Sequence, residues 1–426
     1  MKKLLITGGA RLSGTVRIHG AKNSVLPVLA ACCLCTSPCV LHNCPDIEDV
    51  RTALAILESL GCKTRWEGST LCIDASGLSR SRVEKRLAGK MRSSILFLGA
   101  LLARCGKAEL ALPGGCPLGE RPIDLHVKSL AKLGARFRFE KGILQAAWRE
   151  RRDGDIFLSI PSVGATENLL LACALGSGTV TLHGAAREPE ITDLIGFLRA
   201  AGADIRGAGS GNITICGVKK LHGATYTILP DRIETATYLC MAAGCGGEVE
   251  LQRCDGRLLA PVIERLREAG CEIRSVGSEI ALKSSGKLTA VSPVTTAPYP
   301  GFPTDAQAIL MAAVLRAKGE SVFQETVFER RFLHVPELQK LGADIALSGK
   351  TARVRGVSDL HGAMLRAEDL RGAAALITAG LLAEGESEVL GLSHLARGYE
   401  NLEQNLKNLG AAIKSVDIPA PFVYNT

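Results

Sequence analysis

Leu57-Glu-Ser-Leu-Gly-Cys62 returns five times along the chain. It recurs as Leu130-Ala-Lys-Leu-Gly-Ala135, Leu198-Arg-Ala-Ala-Gly-Ala203, Leu266-Arg-Glu-Ala-Gly-Cys271, Leu338-Gln-Lys-Leu-Gly-Ala343 and Leu406-Lys-Asn-Leu-Gly-Ala411. The glycines at 61, 134, 202, 270, 342 and 410 are spaced by 73, 68, 68, 72 and 68 residues. Each copy reads as the last turn of a helix, with Gly as the left-handed stop before a strand. Such a recurrence marks a repeated supersecondary unit, here of far longer period than a solenoid's.

A second piece precedes each signature: an apolar helix of small residues, a stop, then a strand. The helices are expected at 24–34, 93–102, 165–175, 234–243, 306–315 and 372–382, and the strands at 40–42, 108–112, 179–183, 248–252, 321–324 and 388–391. A helix apolar on all sides is a buried one. Each unit should therefore bury one helix and expose another, with strands between them.

The halves also match each other. Glycine offsets are 270 − 61 = 209, 342 − 134 = 208 and 410 − 202 = 208, and Leu125-His-Val127 returns as Leu333-His-Val335, again 208 on. The simplest account is a three-unit domain duplicated. One domain is expected over 22–229; the other is discontinuous, over 1–21 and 230–426. A cleft between two such domains is a natural ligand site.

Composition narrows the function. The 426 residues are 46% hydrophobic, 22% charged and only 4% aromatic. A net charge of +8 without long basic runs suits small anionic substrates better than a nucleic-acid groove. The opening Met1-Lys-Lys-Leu-Leu-Ile-Thr7 is too short an apolar run for a signal peptide, and Pro27 and Pro38 interrupt the most apolar region. A soluble, cytoplasmic protein without membrane partners is expected. Of 15 cysteines, Cys62 and Cys271 stand where sister copies carry Ala, so Cys replaces a small apolar residue there. Cys32, Cys33 and Cys35 lie in an apolar helical pattern rather than a zinc knuckle, and no metal is expected.

The chemistry is expected where helices begin and in one loop. Lys22 and Arg92 stand at buried-helix starts with no acidic residue close in sequence. A cation is unfavourable there, and a bound anion or a distant carboxylate would resolve the conflict. Asp231 with Glu234, and Thr304 with Gln307, read as capping pairs, while Asp305 suits a first turn whatever else it does. The loop Leu112-Pro-Gly-Gly-Cys-Pro-Leu-Gly-Glu-Arg-Pro-Ile-Asp-Leu-His126 holds three glycines and three prolines, which suits a lid. Its Cys116, near Arg121, is either an activated thiol or an inert cysteine in a turn.

Several stretches together resemble the UDP-N-acetylglucosamine 1-carboxyvinyltransferases, members of the enolpyruvyl transferase family. They are Lys22-Asn23, Pro113-Gly-Gly-Cys116, Arg121-Pro-Ile-Asp-Leu-His126, Ser162-Val-Gly-Ala-Thr-Glu-Asn168 and Ala186-Arg-Glu-Pro-Glu-Ile191. To these are added Leu229-Pro-Asp-Arg-Ile-Glu234, Pro300-Gly-Phe-Pro-Thr-Asp-Ala-Gln307, Glu325-Thr-Val-Phe-Glu329, His334-Val-Pro-Glu-Leu338, Asp369-Leu-Arg371 and Arg397-Gly-Tyr-Glu400. The resemblance covers about residues 5–415. It implies an α/β fold of two inside-out α/β barrel domains, each of three βαβαββ units. It also implies transfer of the enolpyruvyl group of phosphoenolpyruvate to the 3′-hydroxyl of UDP-N-acetylglucosamine with loss of phosphate. That is the first committed step of peptidoglycan synthesis, and no cofactor is needed.

Arg371 and Arg397, near the last buried helix and the strand after it, would supply further cations from the other half. By the resemblance, Lys22 and Asn23 contact phosphoenolpyruvate, whose phosphate and carboxylate Arg121 and Arg397 neutralise. Arg92, Arg121, Pro122, Ile123, Asp124, Leu125, Ser162, Val163, Gly164, Asp305 and Val327 hold the UDP-sugar. Asp305 takes the proton of the attacking hydroxyl, and Cys116 is a proton donor or covalent partner open to alkylation by fosfomycin. The chain departs from the common pattern at Leu96, Ile160 and Ala396. The competing readings are the shikimate-pathway enolpyruvyl transferase, a non-catalytic UDP-sugar sensor, and a nucleic-acid protein on the related cyclase fold.

Overall fold

The computed structural model describes residues 2–114, 118, 123–149 and 151–417. It is a mixed α/β protein whose described residues form two compact units. One, the continuous unit, takes residues 19–231, Leu118 excepted. The other, the split unit, takes the chain up to Ile18 and from Arg232 onward.

Six helices fill the interiors: α1 (Lys22–Cys32), α2 (Leu96–Cys105) and α3 (Val163–Cys173) in the continuous unit, α4 (Arg232–Cys245), α5 (Thr304–Ala313) and α6 (Leu370–Leu382) in the split unit. Within each unit these three pack on one another. They are built from Ala, Leu, Gly and Cys and are buried on nearly every side, so their short side chains let the backbones approach closely. Five of them begin two residues before the expected starts, because first-turn residues such as Lys22, Val163-Gly164 and Thr304-Asp305 are already helical; α2 begins three residues after its expected start, because Arg92–Ile95 forms a tighter turn ahead of it.

The second helix of each repeat is amphipathic, and its signature glycine follows it. Gly61, Gly134, Gly202, Gly270, Gly342 and Gly410 have φ of 102°, 100°, 102°, 101°, 93° and 96°. A Cβ is strained at such angles, so glycine recurs there.

Each unit carries three sheets on the outside of its helices. The strand after a buried helix pairs antiparallel with one arm of a hairpin and, on its other edge, parallel with a further strand. In one such sheet Cys39–His42 lies between Thr70–Asp74 and Thr225–Thr227. Five sheets have four strands; in the sixth the parallel edge shrinks to the single bridge Arg82–Glu109. The first residues complete the split unit: Lys2–Thr7 pairs with Glu386–Leu390 and Ala412–Asp417, and Leu12–Arg17 runs parallel to Gly247–Gln252. Among the described residues no sheet closes on itself. The expected barrel is therefore not a closed ring of strands. Each ladder ends after its hairpin, and the chain leaves through a helix or loop.

The described cysteines are free thiols, most of them buried. Burial pushes Cys173 and Cys245 up to about 12, which keeps them protonated and inert. Among the described residues no group of three or more His, Cys, Asp or Glu could hold a metal ion, and no helix is long and apolar enough to cross a membrane.

Candidate active site

The split unit gathers its charge where α5 and α6 begin. Asp305 occupies the first turn of α5 and keeps 28% side-chain exposure. Its Oδ1 accepts from Arg331 Nη2 at 2.6 Å and its Oδ2 from Arg371 Nη2 at 3.3 Å. Burial pushes its carboxyl up, but Arg371, Arg331 and Arg232 outweigh that and hold it far below the usual carboxylate range. Arg331 is 2% exposed and donates twice more to the Thr304 carbonyl, while its Nη1 lies 3.9 Å from Asp369. Asp369 caps α6 through the N–H groups of Arg371 and Gly372. Arg371 also donates to Tyr399 Oη at 3.1 Å and lies 5.5 Å from that ring's centroid. The result is an ionised carboxylate between two buried guanidiniums, facing partly outward.

Val327 joins this cluster indirectly. Glu325 accepts the Val327 N–H at 2.8 Å and the Thr304 hydroxyl at 2.9 Å, which ties an exposed Val327 to the start of α5. Thr304 and Gln307 do not form the expected capping pair, because Glu325 takes the Thr304 hydroxyl and the Gln307 amide makes no hydrogen bond. Arg397 follows the short helix Leu392–Leu395, half-buried and two residues before Tyr399.

In the continuous unit Lys22 opens α1 with Nζ 2.9 Å from Asp49 Oδ2, and its N–H donates to Asp231 Oδ2 at 3.1 Å. Of the two remedies for a cation at a helix start, the distant carboxylate is thus present, supplied by the first turn of Glu48–Ser59. Asn23 beside it is exposed. Arg92 begins the turn Arg92–Ile95 that runs into α2. The Ser162 hydroxyl caps α3 by accepting from Ala165 at 3.4 Å, and Val163 and Gly164 form the half-buried first turn. Ile123 precedes the helix Asp124–Lys132; Asp124 is exposed and paired with Lys128 at 3.0 Å, and Leu125 is half-buried.

His126 links these pieces. Asn168 Nδ2 donates to its Nδ1 at 2.8 Å, so the ring is neutral at that nitrogen. Burial, then Arg92, pushes it down to about 4. Gly164 leaves room for it, since a Cβ there would lie 3.2 Å from His126 Cε1. Glu167 on α3 is buried, and burial reinforced by Glu190 and Glu188 pushes its carboxyl well up. Cys116, Arg121 and Pro122 lie outside the described residues.

Sequence reasoning did not single out Arg331, Asp49 or Tyr399. Nothing in Glu329-Arg-Arg-Phe332 separates the buried Arg331 from the exposed Arg330; only the fold does.

The family model of EPSP synthase (3-phosphoshikimate 1-carboxyvinyltransferase) matches residues 6–406. UDP-N-acetylglucosamine 1-carboxyvinyltransferase 2 of Caldanaerobacter subterraneus subsp. tengcongensis is 46% identical over 413 residues, 97% of this chain and 99% of that protein. The UDP-N-acetylglucosamine 1-carboxyvinyltransferase of Gloeobacter violaceus is 48% identical over 412 residues, 96% of this chain and 90% of that one. Among solved structures, the enolpyruvyl transferase NikO from Streptomyces tendae superposes with a TM-score of 0.90 at 30% identity, covering 98% of this chain and 99% of NikO. EPSP synthase from Acinetobacter baumannii shares the fold, with a TM-score of 0.74 at 19% identity over 98% of this chain and 100% of that one.

Proposed function

Because the chain belongs to the enolpyruvyl transferase family, with the UDP-N-acetylglucosamine 1-carboxyvinyltransferases among its relatives, we propose that it transfers the enolpyruvyl group of phosphoenolpyruvate to the 3′-hydroxyl of UDP-N-acetylglucosamine. It thereby carries out the first committed step of peptidoglycan synthesis, in the cytoplasm. The observation that carries the reading is Asp305, held ionised at the start of α5 by Arg331 and Arg371. With the family goes the finer architecture, inside-out α/β domains of three βαβαββ units each, over 22–229 and over 1–21 with 230–426. Three buried helices inside three sheets per unit support it.

The residues divide the work as follows. Arg92, Arg121, Pro122, Ile123, Asp124, Leu125, the Ser162–Gly164 turn and Val327 hold the nucleotide sugar. Lys22, Asn23, Arg121, Arg371 and Arg397 hold phosphoenolpyruvate. The terminal methylene carbon of phosphoenolpyruvate takes a proton, with Cys116 as the donor, and positive charge develops on the neighbouring carbon. The sugar oxygen bonds to that carbon and gives its proton to Asp305. Loss of a methyl proton then restores the double bond as the carbon–oxygen bond to phosphate breaks. Alkylation of Cys116 by fosfomycin belongs to the same assignment.

A carboxylate clamped by two guanidiniums is a poor base. When the anionic groups of phosphoenolpyruvate draw Arg371 away, Asp305 loses part of the field that holds its pKa down. Phosphoenolpyruvate thus makes the base competent only when there is something to react with.

The test is substrate exchange. Purified protein releases inorganic phosphate when phosphoenolpyruvate and UDP-N-acetylglucosamine are both present, and none when shikimate 3-phosphate replaces the sugar. Release with shikimate 3-phosphate alone, or with neither acceptor, ends this reading.

A further inference from the structure

Both copies of the Leu-His-Val triplet place their histidine against the glycine that opens the third buried helix. A Cβ on Gly164 would lie 3.2 Å from His126 Cε1, and one on Gly372 would lie 3.4 Å from His334 Cβ. Beyond Gly164 the continuous unit fills the space with Asn168. Its Nδ2 donates to His126 and to the Ile95 carbonyl, and its Oδ1 accepts the Gly99 N–H at 2.7 Å. Gly99 on α2 has no room for a side chain, because a Cβ there would lie 2.3 Å from Asn168 O.

The offset of 208 carries this arrangement to the split unit: 126 + 208 is His334, 168 + 208 is Leu376 and 99 + 208 is Gln307. The amide has changed helices. Leu376 on α6 stands where Asn168 stood, and Gln307 on α5 extends from the position where Gly99 had no side chain. Gln307 is fully buried and His334 is 3% exposed. Among the described residues, neither end of the amide and neither ring nitrogen makes a hydrogen bond of normal geometry. Either group buried alone is unfavourable, whereas together they can satisfy each other.

We propose that Gln307 and His334 form a polar pair that positions Arg331 and Asp369 behind Asp305, with Gln307 serving His334 as Asn168 serves His126. The proposal rests on the reading of Asp305 as the base of the transfer. His334 stands three residues after Arg331 at the start of the helix Val335–Lys340, and both the Arg331 guanidinium and the Asp369 carboxylate act on its ring. A ring held in one tautomer fixes the 331–334 turn, and with it the direction from which Arg331 reaches Asp305. Both residues are positioning residues: they act through Arg331 and Asp369.

The experiment has a spectroscopic arm and a kinetic arm. In ¹⁵N spectra of histidine-labelled full-length protein at neutral pH, His334 shows a single neutral tautomer, and Gln307→Leu changes its ring shifts. In the phosphate-release assay Gln307→Leu and His334→Leu each lower kcat by about tenfold with KM changed by less than about twofold. The double variant is no worse than the poorer single one. His334→Asn, which keeps a donor and an acceptor, recovers most of the rate. Unchanged ring shifts in Gln307→Leu overturn the proposal, and so do multiplicative losses in the double variant. If the unsubstituted protein releases no phosphate, the functional reading fails, and the ring shifts still decide whether the pair exists.

Discussion

The two units share a scaffold and differ where its helices begin. In the continuous unit the buried polar groups include neutral pairs as well as ionisable side chains. Asn168 bonds a neutral His126, burial favours the protonated form of Glu167, and Lys22 pairs with Asp49. In the split unit the corresponding ends carry a connected charge network of Asp305, Arg331, Arg371 and Asp369. Each unit presents the starts of three buried helices, but different side chains stand there. Such sites suit anions and carboxylates whichever residue supplies them.

Arg331→Met tests the contrast most severely. It removes the buried cation shared by Asp305 and Asp369, leaving Arg371 with Asp305, and costs about 3–5 kcal/mol of stability in urea denaturation. Lys22→Met removes the ion pair with Asp49 and costs less; equal losses would erase the distinction. Next comes acid. His126 and His334 are both pushed down to about 4, against about 6.5 in the unfolded chain. The unfolded state therefore binds more protons between those values, and stability falls as pH drops from about 6.5 towards 4. The loss is on the order of 3 kcal/mol for each ring. His126→Asn and His334→Asn should each remove about half of that slope, and a slope unchanged in both contradicts the assignment.

Gly99→Ala sharpens the packing difference. Its Cβ meets Asn168 backbone, so melting should show a loss of about 1–3 kcal/mol, whereas position 307 of the split unit already carries a glutamine. The smallest effect is at the caps. Ser162→Ala gives up one long bond, worth about 0.5 kcal/mol.

Much of this was legible in the sequence. The six glycine stops, the six buried helices and the strands after them follow from local rules: left-handed backbone at a helix end, and all-round apolarity inside. Asp305 and Arg371 were named from motif and meet in the fold at 3.3 Å. What escaped depends on long-range packing. Asp49 answers Lys22 from the next helix, Arg331 is distinguished from Arg330 only by burial, and the Thr304–Gln307 capping pair loses to Glu325, 21 residues after Thr304. A sequence shows that a charge stands at a helix start. It does not show which remote carboxylate will meet it.

The account turns on Asp305 as the group that takes the proton from the sugar hydroxyl. Single-turnover formation of the enolpyruvyl product should be measured with Asp305→Asn, after calorimetry has shown that the variant still binds UDP-N-acetylglucosamine. The account predicts that binding persists while the chemical step slows by about a thousandfold or more. A chemical step within about tenfold of the parent's, with binding intact, would contradict it.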